Sequence, residues 1–229
     1  MLELLAPAGS PESVRAAVRN GADAVYMGFG NFNARRNAKN LTDDEFIKLT
    51  EYCRIRGVKV YVTINTLVTD REFMAALELA YKAAHIGVDA IIVQDLGLLH
   101  ALKRAIPDMP LHASTQMSIH NLDGVNKVGE LGASRVVLAR ELSREEVAYI
   151  CHNTTIEIET FCHGALCMGY SGQCYMSSVI GRRSGNRGLC AQPCRLSYRL
   201  GPKANEFPLS LKDLCLIEHI GDLEKCGVS

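Results

Sequence analysis

The sequence predicts an α/β chain of the TIM-barrel type, and three observations carry that expectation. Short β-like apolar runs alternate with segments of helical spacing along the chain. A glycine recurs where each helix hands over to a strand: Gly21-Ala22-Asp23-Ala24-Val25, Gly57-Val58-Lys59-Val60, Gly87-Val88-Asp89-Ala90-Ile91 and Gly132-Ala133-Ser134-Arg135-Val136. Each glycine falls where a helix C-cap requires positive φ, just before a β-branched run. Seven strand candidates favour a barrel over a doubly wound sheet.

In order, strands are expected over 3–6, 24–27, 59–64, 90–93, 111–113, 135–139 and 157–161. The helices between them carry start signals. Ser10-Pro11-Glu12 offers an N-cap followed by proline at the first helical position, and Thr42-x-x-Glu45, Thr69-x-x-Glu72 and Ser143-x-x-Glu146 are capping boxes. The sequence ends Cys226-Gly227-Val228-Ser229, the same helix-to-strand junction with no strand after it. An eighth strand is therefore expected to be missing, and the sequence to be a piece of a longer protein. The expected division is 1–164 for the barrel portion, 165–200 for a cysteine-rich segment and 201–229 for a return to the barrel.

Composition narrows the function classes. The 229 residues are 48% hydrophobic and 22% charged, the profile of a globular chain. Lys plus Arg and Asp plus Glu both total 25, so net charge exerts no general pull toward nucleic acid or membrane. No basic region precedes the first apolar run, and no apolar stretch approaches the roughly 18 residues of a membrane span, so a cytoplasmic protein is expected. Nine cysteines are too many, and too odd a number, for a disulfide scaffold there, which raises metal ligation or catalysis.

Barrel chemistry sits in the loops after the carboxyl ends of the strands. Those positions read Pro7-Ala8-Gly9, 28–36, Asn65-Thr66, Gln94-Asp95, Ser114-Thr115-Gln116, Arg140-Glu141 and His163-Gly164. Loops are wet in any case, but polar residues from seven loops make a ring. Arg35, Asn65, Gln116, Arg140 and Glu141 are candidates to bind a small organic acid or a target base. Glu159 and His163 flank the end of the seventh strand and are the proton-transfer candidates.

From Cys162 the rhythm breaks for about forty residues. Cys167, Cys174, Cys190 and Cys194 follow the spacing C-x6-C-x15-C-x3-C in glycine-rich loops. Four thiolates suit a structural zinc or an iron–sulfur cluster. The pairs lack the two-residue loops of zinc ribbons, which leans toward 4Fe-4S. Cys53 and Cys151 fall inside helical periodicity and read as small buried hydrophobes. Between Glu159 and Glu206 there is no acidic residue, while Arg182, Arg183, Arg187, Arg195, Arg199 and Lys203 give the stretch a formal +6. Such a lobe can attract RNA, with Arg182, Arg183 and Arg187 on phosphates, or can offset the charge of a thiolate-ligated cluster.

A peptidase needs an activated nucleophile or a metal-bound water. The sequence has no His-Glu-x-x-His helix and no Gly-x-Ser-x-Gly elbow, and adjacent Cys162 and His163 point to opposite sides of a strand.

Glu159-x-Phe161-x-x-Gly164-Ala165-Leu166-Cys167, Gly172-x-Cys174-x-Met176-Ser177 and Asn186-Arg187-Gly188-x-Cys190-Ala191-Gln192-Pro193-Cys194-Arg195 resemble the signature of peptidase family U32, the collagenase-like peptidases. So do Leu4-Leu5-Ala6-Pro7-Ala8-Gly9, Gly21 to Tyr26, Ala139-Arg140-Glu141-Leu142-Ser143 and Leu209-Ser210-Leu211-Lys212-Asp213-Leu214. The resemblance covers the whole chain. Family members usually continue with a Lys-Ile-Glu-Gly-Arg-like strand and a further domain, absent here.

The family name implies proteolysis, but the better understood relatives imply iron–sulfur proteins that support hydroxylation of RNA bases or of the ubiquinone ring. The RNA-acting branches imply 5-hydroxyuridine in tRNA or 5-hydroxycytidine in large-subunit rRNA, with a requirement for prephenate; an electron-transfer partner is a separate expectation. On that resemblance Cys167, Cys174, Cys190 and Cys194 are the cluster ligands, and Ala34 to Ala38 with His112 to Gln116 look closer to the rRNA branch. A peptidase and a zinc-binding structural module are the alternatives.

Overall fold

The structure is a computed structural model that describes residues 2–34, 41–201 and 203–229. Strand and helix alternate as the sequence predicts: β1 (Leu5–Pro7), α1 (Pro11–Arg19), β2 (Ala24–Gly28), α2 (Asp43–Arg54), β3 (Lys59–Ile64), α3 (Asp70–Ile86), β4 (Ala90–Val93), α4 (Leu96–Ala105), β5 (Leu111–Ala113), α5 (Leu122–Glu130), β6 (Arg135–Val137), α6 (Arg144–Asn153) and β7 (Glu157–Glu159). All seven strands are parallel and lie in sequence order, with β1 and β7 at the edges.

Local chemistry explains the boundaries. Ser10 caps α1 by accepting from the Ser13 amide at 3.2 Å. Glu45, Glu72 and Glu146 each reach back to the amide of their N-cap residue, satisfying a donor the helix leaves orphaned. Gly87 ends α3 at φ 89°, and Gly21, Gly57 and Gly132 also have positive φ. β6 ends at Val137 rather than Ala139, because the Ala139 amide turns away to the Ile119 carbonyl. β7 ends at Glu159 rather than Phe161, and β1 starts at Leu5 rather than Glu3, which leaves the Glu3 carboxylate to face the barrel interior.

The inner strands β2 to β6 are buried on both faces. Val25, Met27, Val60, Val62, Ile64, Ile91 and Val93 face the helices in one large cluster. Ala24, Tyr61, Ala90 and Ile92, with Leu5 and Tyr26, fill the inner side. The sheet is curled into an open half-barrel tightly enough that Arg135 on β6 donates to Glu3 before β1 at 2.6 Å. Ser229 lies beside β7, its amide donating to the Ile158 carbonyl at 2.9 Å.

Beyond β7 come short pieces: β8 (His163–Gly164), α7 (Met176–Gly181), β9 (Tyr198–Leu200), β10 (Lys203–Glu206), β11 (Leu214–Cys215) and α8 (Ile220–Cys226). β8 and β11 pair as an antiparallel ribbon, as do β9 and β10, and α8 returns to pack on α6. No helix among the described residues is long and apolar enough to cross a membrane.

Candidate functional site

The cysteine-rich segment is fastened to the carboxyl-end mouth of the half-barrel. Gly172, at φ 76°, lies flat on the backbone of Gln116 in the loop after β5; a Cβ there would overlap the Gln116 carbonyl oxygen. Asn186, buried, donates to the Gly172 carbonyl at 2.6 Å. Glu141, after β6, accepts from the Ser171 amide at 3.0 Å and the Ser171 hydroxyl at 3.1 Å. Its other oxygen stands 3.3 Å from His120 Nε2, whose ring packs edge-on against Tyr170. Ser118 donates to the Ser171 carbonyl and accepts from Gln173 at 2.9 Å.

Arg140 works beside Glu141. Its Nη1 donates to the Ala165 carbonyl at 2.9 Å, and its guanidinium lies 4.2 Å from the centre of the Phe161 ring. Arg195 donates to the Leu166 carbonyl at 3.1 Å, to Ser210 at 2.9 Å and to the Leu211 carbonyl, and pairs with Asp213 at 3.4 Å.

The segment that these two arginines hold carries the thiols. Cys167 and Cys190 are exposed; Cys174 and Cys194 are half-buried. Partial burial pushes the Cys167 thiol up, Arg140 draws it down, and Cys174, Cys194 and Cys190 push it up again, so Cys167 lies within electrostatic reach of all three. Gly169 packs on Cys174, leaving 3.3 Å between an added Cβ and the Cys174 Cβ. A single tetrahedral ion would draw its sulfurs to within about 4 Å of one another. No group of three or more His, Cys, Asp or Glu side chains stands at single-ion spacing among the described residues. The donor set the segment offers is four sulfurs, a chemistry that suits a zinc ion or an iron–sulfur centre.

Cys53 and Cys226 are buried and Cys151 half-buried. Burial pushes the Cys53 and Cys151 thiols to about 11, as befits packing residues. The Cys162 carbonyl accepts from the Leu216 amide at the head of the β8–β11 ribbon. In that ribbon exposed His163 stands directly opposite exposed Cys215.

Inside the barrel lies a charge cluster that reading strand by strand does not assemble. Arg135, with its side chain 6% exposed, donates to Glu3 at 2.6 Å and to Glu157 at 2.8 Å, and stands 3.7 Å from Glu159. Burial would raise the Glu3 carboxyl, but hydrogen bonds from Arg135, Lys59 and Tyr61 bring it to about 2. Glu159 receives less of the shared cation: burial pushes it up, Arg135 draws it down and Glu3 pushes it up, to about 7. One of its oxygens is buried without a hydrogen-bond partner. His112 is held neutral, at about 3, by burial and by Arg135. The signal for Arg135 was a charged residue at an inward-facing position in Arg135-Val136-Val137; His120 and Ser171 left no sequence signal.

The other ring candidates are placed as follows. Asn65 accepts from the Ala34 amide at 2.9 Å and donates to Ser114 at 3.4 Å. The Gln116 carbonyl accepts from Gln94, whose own oxygen is buried without a partner. Arg35 lies outside the described residues. Arg182 is exposed, and Arg183 is exposed with Nε donating to the Leu189 carbonyl. Arg187 is spent within the fold, on Glu72 and on the Leu67 carbonyl at 2.7 Å.

Comparison with known proteins gives this arrangement relatives. The chain is 41% identical over 99% of its length to a 23S rRNA 5-hydroxycytidine synthase of Escherichia coli, of which it covers 35%. It is 40% identical over 99% of its length to the tRNA hydroxylation protein P1 of Bacillus subtilis and 37% identical, again over 99%, to a collagenase of Porphyromonas gingivalis, covering 56% and 59% of them. The chain thus spans a third to three fifths of the curated relatives it matches. A solved U32 peptidase structure superposes with a TM-score of 0.65 at 16% identity, over 94% of this chain and 87% of that one. The peptidase family U32 model matches residues 9–229, and the chain belongs to that family.

Proposed function

We propose that the protein supports hydroxylation of an RNA base, with Cys167, Cys174, Cys190 and Cys194 holding a 4Fe-4S cluster at the barrel mouth. The observation that carries the reading is a four-thiol set bound to the mouth by Arg140 and Glu141, in a chain about 40% identical to two RNA-hydroxylation proteins.

Such a cluster supplies one-electron chemistry or an anchoring point for a ligand. The chain's own residues do the rest. Glu141, through Ser171, and Gly172, against Gln116, fix the loop that carries Cys174. Glu159, near 7 and buried beside Arg135, can hold or release a proton. Exposed Arg182 and Arg183 offer guanidinium groups to RNA phosphates. A small organic acid, prephenate in the branches the sequence resembles, and an electron-transfer partner complete the reading.

The test is nucleoside mass spectrometry of rRNA and tRNA from a strain lacking the gene. Loss of 5-hydroxycytidine or 5-hydroxyuridine, restored by the gene but not by a Cys174→Ser copy, is expected. Unchanged modification in the deletion strain would overturn the proposal.

One observation favours proteolysis as a second reading: Cys215 stands opposite His163. The Ser171, Glu141 and His120 set does not serve it, because the carboxylate lies between hydroxyl and imidazole rather than behind the imidazole. Gelatin cleavage abolished by Cys215→Ser would support this reading.

A further inference from the structure

Arg140 carries a donor and a charge that its structural contacts do not use. Nη1 is committed to the Ala165 carbonyl, and the guanidinium face lies against Phe161. Its Nε is buried and has no hydrogen-bond partner among the described residues. No carboxylate pairs with it there either, whereas Arg195, which donates to the next carbonyl, that of Leu166, is paired with Asp213. Ala165 is two residues before Cys167, so the uncompensated cation is held on the backbone that leads into the first of the four thiols. Leaving a buried donor unpaired is costly, so an acceptor beside it is expected.

We infer that Arg140 sets the reduction potential of the four-cysteine centre, its charge favouring the reduced form and its Nε–H being the donor left over for that centre. The inference rests on the cluster reading above. A cluster on four thiolates is negatively charged and becomes more so when a low-potential reductant gives it an electron. A fixed cation beside it stabilises the more negative form, so the midpoint potential lies higher than it would without Arg140. Arg140 is thus a positioning and tuning residue for the centre.

The experiment is a dye-mediated reductive titration of anaerobically purified holoprotein, followed by visible absorption and electron paramagnetic resonance, with iron content measured in parallel. Arg140→Gln should load iron and titrate at a more negative potential, while Arg140→Lys, which keeps the charge and changes the hydrogen bonding, should recover most of the difference. A merely structural role would disturb both variants alike. Arg140→His keeps the test decisive should Arg140→Gln load poorly: from pH 6 to pH 8 its potential should fall by more than the wild type's, as the imidazole loses its charge near about 6.5. Equal potentials in the wild type and the Gln variant, or no extra pH step in the His variant, would overturn the inference and leave the cluster standing. Wild-type protein without iron would instead overturn the cluster reading itself, and the inference with it.

Discussion

Arg187 donates from both terminal nitrogens to Glu72, the residue that also accepts from the Thr69 amide to cap α3. The cysteine-rich segment is thereby fastened to the start of a barrel helix, and Arg187 first, with Thr69, holds the Glu72 carboxyl at about 2. Both side chains are about a third exposed, so the pair is worth about 1 kcal/mol or less. Arg187→Ala should lower thermal stability slightly and speed limited proteolysis between Cys174 and Cys190. Unchanged cleavage would show that Gly172 and Asn186 suffice to hold the segment.

The same pairing divides the arginines of the acid-free stretch. Arg182 and Arg183 are exposed, whereas Arg187 and Arg195 are occupied. Replacing Arg182 and Arg183 together should reduce the slope of log affinity for RNA against log salt by about 1.4 to 1.8, and Arg187→Gln should change it little. Filter binding over a salt series decides between this and a lobe that only offsets cluster charge.

Replacing Cys167, Cys174, Cys190 or Cys194 by Ser should abolish the brown colour and most of the bound iron of anaerobically purified protein. Cys53→Ser should leave both intact, because Cys53 is fully buried among helix contacts. Stoichiometric zinc without iron in the wild type would replace the cluster with a structural ion.

The Arg135 cluster should give stability two opposite pH limits. Glu3 sits near 2, below its usual 4.5, so its contribution is complete above 4.5 and is lost as pH falls toward 2. Glu159 sits near 7, above its usual 4.5, so its contribution is complete below 4.5 and is lost as pH rises through 7. That loss is on the order of 3 kcal/mol. Glu159→Gln, which cannot ionise, should flatten the decline between pH 5 and 8 in urea titrations while leaving the acid limb unchanged.

The barrel was legible because its signals are local. The Gly87 C-cap, the Thr42 to Glu45 box and the 59–64 strand are written in neighbouring residues and form where the sequence puts them. The charge cluster was not, because Glu3 and Arg135 are 132 positions apart and meet only when the sheet curls. The ring after the strands was legible in part: Arg140 and Glu141 do lie at the mouth, but their donors and acceptors turn to the cysteine segment, whose course no periodicity describes. Cys215 opposite His163 was hidden for the same reason, since a two-residue ribbon leaves no pattern.

Gly172 is where the segment's docking is most exposed to a single change. An added methyl would overlap the Gln116 carbonyl, and the residue's φ of 76° disfavours any side chain. Relief would have to come from lifting the loop, which would break the Asn186 bond to Gly172 and strain the Ser171 bonds to Glu141. The barrel core does not contact this loop, so Gly172→Ala should leave the circular dichroism spectrum near that of the wild type while costing about 2–4 kcal/mol of segment docking. Hydrogen exchange should quicken at Ser171 to Cys174 and around Asn186, and stay slow in β3 and β4. Cluster content should fall with it, because Cys174 would leave the reach of Cys167. If exchange quickens and iron stays bound, the four thiols hold the segment together without the mouth; if neither changes, the contact between Gly172 and Gln116 does not position the loop.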